Sequence, residues 1–159
     1  MAVLVSLIAL IVNVNTRSLI PLGRKPGTNV FRPRSPEHPE DETYPGLLLL
    51  RPEGGIFFAN AQRLGQQIKA LLEEYKPRVL ALHMRAVPDL EYTALRMLVE
   101  GEEKMREAGT TLWLVGMNPE VLKVVQNSPL GERLGRERMF FNLEQAVDKY
   151  QRFMPKATT

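Results

Sequence analysis

The chain contains no cysteine, which removes disulfides, thiolate metal ligands and cysteine nucleophiles together. Histidine is almost as scarce. His38 lies in a proline-rich acidic stretch and His83 in an apolar run, so no paired-histidine metal site is readable. Aromatic residues, 7% of the chain, do not alternate with basic ones as an RNA-binding surface requires, and no C2H2 spacing occurs. A formal net charge of +3 is too small to argue for nucleic acid. Phosphate cradles are missing too. Gly54-Gly55 belongs to a turn, and neither GxGxxG nor a P-loop occurs. No carboxylate pair and no Ser-His-Asp set emerges, so the sequence nominates no catalytic residue, no metal ligand and no cofactor. There is no internal repeat. What remains is an ordinary globular composition, 44% hydrophobic and 25% charged. A length of 159 residues is enough for one domain with a proper core and some tail.

The first residues depart from that composition. MAVLVSLIALIV (residues 1–12) has one polar residue, Ser6. As a helix it would span about 18 Å, against about 30 Å of bilayer hydrocarbon. It lacks the basic start and small-residue cleavage site of a secretory signal. The pattern fits the last half of a transmembrane helix, with Met1 an internal methionine or a mis-called start. A buried or amphipathic N-terminal helix is the alternative. Arg17, Arg24, Lys25, Arg32 and Arg34 follow, with no acid before Glu37. The positive-inside rule puts that flank in the cytoplasm, and these five charges are candidates for anionic lipid headgroups. The plainer alternative is a solvated basic linker.

Six prolines and three glycines between residues 21 and 46 mark a linker or extended entry, with room for a short strand at residues 28–32. The folded part then alternates. The run at residues 47–51 predicts a strand buried on both faces. Pro52-Glu53-Gly54-Gly55 predicts a turn into a second strand at residues 56–59, giving a hairpin. Asn60 is a candidate cap for a helix whose apolar face is Leu64, Ile68, Leu71, Leu72 and Tyr75, stopped by Pro77. Residues 79–84 read as a central strand, with His83 hydrogen-bonded in or beside the core. A helix follows Pro88-Asp89 and closes at Gly109. Residues 111–115 read as a strand. Asn118-Pro119 opens a third helix ending near Ser128-Pro129. Residues 139–141 read as an edge strand, and Asn142 caps a last helix. Strand–helix–strand crossovers require parallel neighbours. The expectation is an α/β fold with a mixed, mostly parallel sheet of about five to six strands. About four helices should pack mainly on one face.

Several segments carry a resemblance: LGRKPGTNVFR (residues 22–32), PEGGIFFANA (52–61), VPDLEYTALRML (87–98), LWLVGMNPEVLKVVQNSPL (112–130) and MFFNLEQAV (139–147). Over roughly residues 22–153 the chain resembles a STAS domain, and most resembles those on the cytoplasmic tails of SulP-type (sulfate permease family) anion transporters. The resemblance implies four segments. Residues 1–20 are the end of a last transmembrane helix with its juxtamembrane stretch. Residues 21–46 are a linker with the first strand, residues 47–156 the STAS core, and residues 157–159 a tail. It also implies a non-catalytic regulatory and interaction domain on the cytoplasmic side of the plasma membrane, attached to a transporter of sulfate-like anions or bicarbonate. Its partners would be the membrane domain of the same transporter, the membrane surface at the N-terminus, and a second copy in a homodimer.

The alternative branch comprises stand-alone anti-sigma-factor antagonists, switched by phosphate on a serine in an Asp-Ser-Ser/Thr-Gly loop. The matching residues here are Glu91, Tyr92, Thr93 and Ala94, so the serine and the glycine are both replaced. Thr93 and Tyr92 remain candidate phosphoacceptors. The carboxylates of Asp89 and Glu91 would oppose an added phosphate. The same residues fit a plain helix start with Asp89 or a neighbour as cap. STAS domains are also suggested to bind nucleotides near this loop, but no lysine stands here to grip a phosphate. Asp89, Glu91, Tyr92 and Thr93 are therefore expected to form a contact loop.

Overall fold

The structure, a computed structural model, describes residues 19–53 and 58–153. The apolar leader and Arg17 lie outside the described residues, and so does the C-terminal tail. Among the described residues no helix is long and apolar enough to cross a membrane. Strands β1 (Leu19–Arg24), β2 (Phe31–Pro33) and β3 (Leu47–Pro52) come first, followed by helix α1 (Phe58–Tyr75). Then come β4 (Val79–His83), α2 (Tyr92–Glu107), β5 (Thr111–Val115), α3 (Pro119–Gln126) and α4 (Pro129–Leu134). A 3-10 turn (Arg136–Arg138), β6 (Met139–Phe140) and α5 (Leu143–Phe153) complete the order.

The six strands form one mixed sheet in the order β2-β1-β3-β4-β5-β6. The pairs β3·β4, β4·β5 and β5·β6 are parallel; β1 is antiparallel to both β2 and β3. The expected fold class is the one observed. Because strand residues alternate between faces, the run Leu47-Leu48-Leu49-Leu50 feeds two cores. Leu48, Leu50, Leu80, Leu82, Leu112 and Leu114 face α1 to α4, meeting Leu64, Leu95, Val121 and Leu130. Leu47, Leu49, Val79, Ala81, Trp113 and Val115 face α5, meeting Leu143, Ala146, Val147 and Tyr150. Four helices therefore cover one face and α5 alone covers the other. Each fully buried leucine contributes about 2 kcal/mol of transfer free energy, which is why both faces are closed.

Several local expectations are corrected. Phe58 and Ala59 are helical, so the second strand expected at residues 56–59 does not form there, and residues 56–57 lie outside the described residues. Asn60 is consequently inside α1 rather than capping it. The antiparallel partner of β3 is instead β1, through Leu19↔Pro52, Ile20↔Arg51 and Pro21↔Leu50. Proline and glycine at Pro21 and Gly23 made this segment read as linker. The β1·β2 ladder begins only at Leu22, so the N–H missing at Pro21 interrupts no bond of it, and the Pro21 carbonyl still accepts from the Arg34 N–H at 3.0 Å. The short strand expected at residues 28–32 is displaced to Phe31–Pro33. Finally, α4 is a helix that the spacing does not predict. Ser128 and Pro129 restart a helix that packs so closely on α3 that a Cβ on Gly131 would lie 2.4 Å from the Val125 carbonyl oxygen.

Candidate functional site

Since β3 to β6 are parallel, their C-terminal ends collect at one pole of the domain. Leu19 enters at the same pole, opposite Pro52. The loop from β4 to α2 lies there and is pinned from inside. Met84 and Val87 are fully buried and Leu90 nearly so. The Met84 N–H donates to the Val115 carbonyl at 2.8 Å. Between these plugs the chain turns Arg85, Pro88, Asp89, Glu91, Tyr92 and Thr93 outward, all exposed. Asp89, Glu91, Tyr92 and Thr93 are thus brought together as an exposed arc, with Tyr92 75% exposed. Ala94 and Leu95 turn inward and anchor the helix start.

The side-chain cap expected from Asp89 or a neighbour is not made. The N-cap position of α2 belongs to Glu91, whose side chain makes no capping bond and whose carbonyl accepts from the Leu95 N–H at 2.8 Å. The loop is held by Asn118 instead. Its Oδ1 caps α3 by accepting from the Val121 N–H at 2.8 Å, as the Asn118-Pro119 pair suggested. Its Nδ2 meanwhile donates to the Pro88 carbonyl at 2.9 Å and, at 3.4 Å, to that of Val87. One side chain thus joins α3 to the arc.

Beside the arc, on the α5 face, lies an open groove of about 670 Å³. Arg51 and Glu53 come from the end of β3, His83 from the end of β4 and Arg85 from just beyond it. Asn142 and Glu144 come from the start of α5. The Arg51 Nε lies 3.0 Å from a Glu53 carboxylate oxygen. His83 is expected to be hydrogen-bonded; instead its Nδ1 is buried without a partner among the described residues. Its ring lies against Gly116, where an added Cβ would come within 3.0 Å of Cδ2 and where φ is +69°. Burial first, then the charges of Arg51 and Arg85, pull the His83 pKa from 6.5 to about 4. An imidazole so depressed is a weak base at neutral pH. The groove offers polar side chains for contact. Arg51, His83, Arg85 and Asn142 had no local signature as a group, because only the strand order brings them together.

The basic residues following the leader are mostly occupied. Arg24 donates from Nε to the Thr28 carbonyl at 2.7 Å, contacts Asn29 and lies over the Phe31 ring. Arg32 grips Asp41 with two bonds of 2.7 Å, holding that carboxyl below its ordinary pKa. Arg34 donates to the Leu22 carbonyl at 3.1 Å and stacks over Tyr75. Lys25 is exposed at the β1–β2 turn. Among the described residues no group of three or more histidines, aspartates or glutamates could hold a metal ion.

Known proteins share this fold. The chain is 28% identical over 158 residues to sulfate transporter 3.1 of Arabidopsis thaliana, covering 92% of this chain and 24% of that protein. It therefore spans about a quarter of the length of the curated relatives it matches. A solved sulfate transporter family protein from Wolinella succinogenes superposes with a TM-score of 0.61 at 28% identity, over 74% of this chain and 96% of that one. Murine Slc26a9, an anion transporter, superposes with a TM-score of 0.75 at 20% identity over 95% of this chain and 25% of its own. The family model for the STAS domain matches residues 38–146, from His38 to the first turn of α5. The chain belongs to the STAS domain family.

Proposed function

We propose that this chain is the regulatory contact module of a secondary transporter of inorganic anions, sulfate-like or bicarbonate. In this reading it lies on the cytoplasmic side of the plasma membrane. The observation that carries the reading is the match to one quarter of proteins named sulfate transporters, with an apolar run ending six residues ahead of β1. Transport belongs to the remaining length. The module acts by touching the membrane-embedded part, or a second copy, more favourably in one conformation than in another. The exposed arc Asp89, Glu91, Tyr92 and Thr93 is the contact element, since a loop held rigid from below presents side chains at little entropic cost. Lys25, exposed at its turn, and Arg17 are the cations we assign to lipid headgroups. Arg24, Arg32 and Arg34 serve the fold first.

The test is uptake of labelled sulfate or bicarbonate by the intact transporter in vesicles, with and without residues 19–153. A severalfold loss of uptake or of assembly is expected, and unchanged expression and uptake would refute the proposal. A second reading, a switch phosphorylated on Thr93 or Tyr92, draws on the exposure of both hydroxyls at the first turn of α2. Intact-mass measurement after incubation with cell extract and ATP tests it. Absence of a phosphate adduct removes it.

A further inference from the structure

Not all the charges in the groove on the α5 face meet. Arg51 and Glu53 hold each other at 3.0 Å. Arg85, just past β4, and Glu144, in the first turn of α5, line the same groove. Both are exposed, and neither makes an ion pair or hydrogen bond among the described residues. Two opposite charges thus share one cavity, too far apart to pair with each other. The His83 ring lines it as well, and its buried Nδ1 has no partner among the described residues. Native interiors seldom leave such an atom unsatisfied. Among the neighbouring charges, Arg51 and Arg85 are the ones that act on this ring, so it is neutral at neutral pH and stands in a positive field. Val30, 51% exposed, and the partly buried Phe31 add an apolar stretch to the same wall.

We infer that this groove binds an α-amino acid with an apolar side chain, in the zwitterionic form it has at neutral pH. The carboxylate lies against Arg85 beside the His83 ring, the ammonium group against the Glu144 carboxylate, and the side chain along Val30 and Phe31. Charge-assisted bonds of both kinds are the strong ones. A volume of about 670 Å³ falls within the range of small-molecule sites. Ligands of one sign fit less well. A doubly charged inorganic anion meets Glu53 and Glu144 as like charges, and a simple amine meets Arg51 and Arg85. A ligand carrying both signs on neighbouring atoms answers Arg85 and Glu144 together.

Isothermal titration calorimetry of the full chain in mild detergent tests this, with leucine, methionine and phenylalanine as probes. Two analogues of leucine each lack one charge: isocaproate has no ammonium group and isoamylamine no carboxylate. At least one of the three amino acids is expected to bind. Leucine should bind at least about tenfold tighter than either analogue. Arg85→Gln should abolish the preference over isoamylamine, and Glu144→Gln the preference over isocaproate. Both positions are exposed, and circular dichroism checks that the variants fold. Hydrogen exchange of the parent chain locates the site without any variant. The bound amino acid should slow exchange at residues 83–86 and 142–146 and leave the ends of α1 and α2 at Tyr75 and Glu107 unchanged. No binding of the three probes at millimolar concentration overturns the proposal. Isocaproate or inorganic sulfate binding as tightly as leucine would mean a plain anion site, which overturns the zwitterion. Protection elsewhere, or unchanged affinity in both folded variants, overturns the groove as the place.

Discussion

His83 shows how much one buried ring can cost when its surroundings refuse it a proton. Its Nδ1 has no partner among the described residues, and Arg51 and Arg85 sit nearby. Glu53 and Glu144 line the same groove, with Glu53 engaged by Arg51. The folded pKa of about 4 lies below the 6.5 of an ordinary histidine. Between those values the unfolded chain binds a proton that the folded chain does not. Stability is therefore intact above pH 6.5 and falls as pH drops toward 4. Solvent reaching the groove reduces the effect to about 1 kcal/mol between pH 7 and 4.5. Urea midpoints measured against pH should fall less steeply for His83→Gln than for the parent chain. A second residue-scale case is Glu102, only 2% exposed, which lies 3.3 Å from Arg133 of α4 and 3.6 Å from Arg106 one turn along α2. Arg133 is the less exposed and makes the hydrogen bond. Urea denaturation should show Arg133→Met costing about 1–2 kcal/mol and Arg106→Met less than about 0.5 kcal/mol. Nothing local in the sequence signals the burial of Glu102, because its partner Arg133 stands on α4.

Asn118 does at the scale of elements what no sequence pattern announces. Its capping of α3 was legible from Asn-Pro spacing, a local rule. Its grip on the Val87 and Pro88 carbonyls joins residues some thirty positions apart and follows from β4 and β5 lying side by side. Asn118→Ala should lose both functions, about 2 kcal/mol in all. Asn118→Asp keeps the cap but loses the amide donor, and should fall in between. Hydrogen exchange at residues 87–93 should quicken in both variants; thermal melts give the stability order. If Asp matches the parent in exchange, the loop is held by its buried plugs alone. The errors at this scale share a cause. Phe58 and Ala59, read as strand, begin α1, and Leu19–Arg24, read as membrane-proximal linker, pairs with β3. In both places short-range preference was overruled by what lay next to the segment in space.

Across the whole molecule one sheet is shared by two cores, so neither can open without exposing the other's strands. Trp113, the single tryptophan, sits on the α5 side at 5% exposure. Its ring centroid is 4.8 Å from that of Phe140 and 6.4 Å from that of Tyr150. Most helical residues lie on the opposite face, in α1 to α4. Tryptophan fluorescence therefore reports one core and far-UV circular dichroism mainly the other. Their urea midpoints should coincide within error. An earlier fluorescence transition would mean that α5 detaches first, and would make it the natural moving part of a contact module.

By itself the sequence determined the alternation of strands and helices, the doubly buried LLLL strand, the caps at Asn118 and Asn142, and the family. These are written in spacing and in local hydrogen-bonding preferences, which act over a few residues. It also gathered Asp89, Glu91, Tyr92 and Thr93, because neighbours in the chain stay neighbours in space. Only the tertiary structure decided that β1 completes the sheet, that α5 stands alone on its face, and that Arg51, His83, Arg85 and Asn142 share a groove. Those residues lie on separate strands and loops. Their meeting depends on strand order and register, which are fixed by burying both faces of the sheet at once.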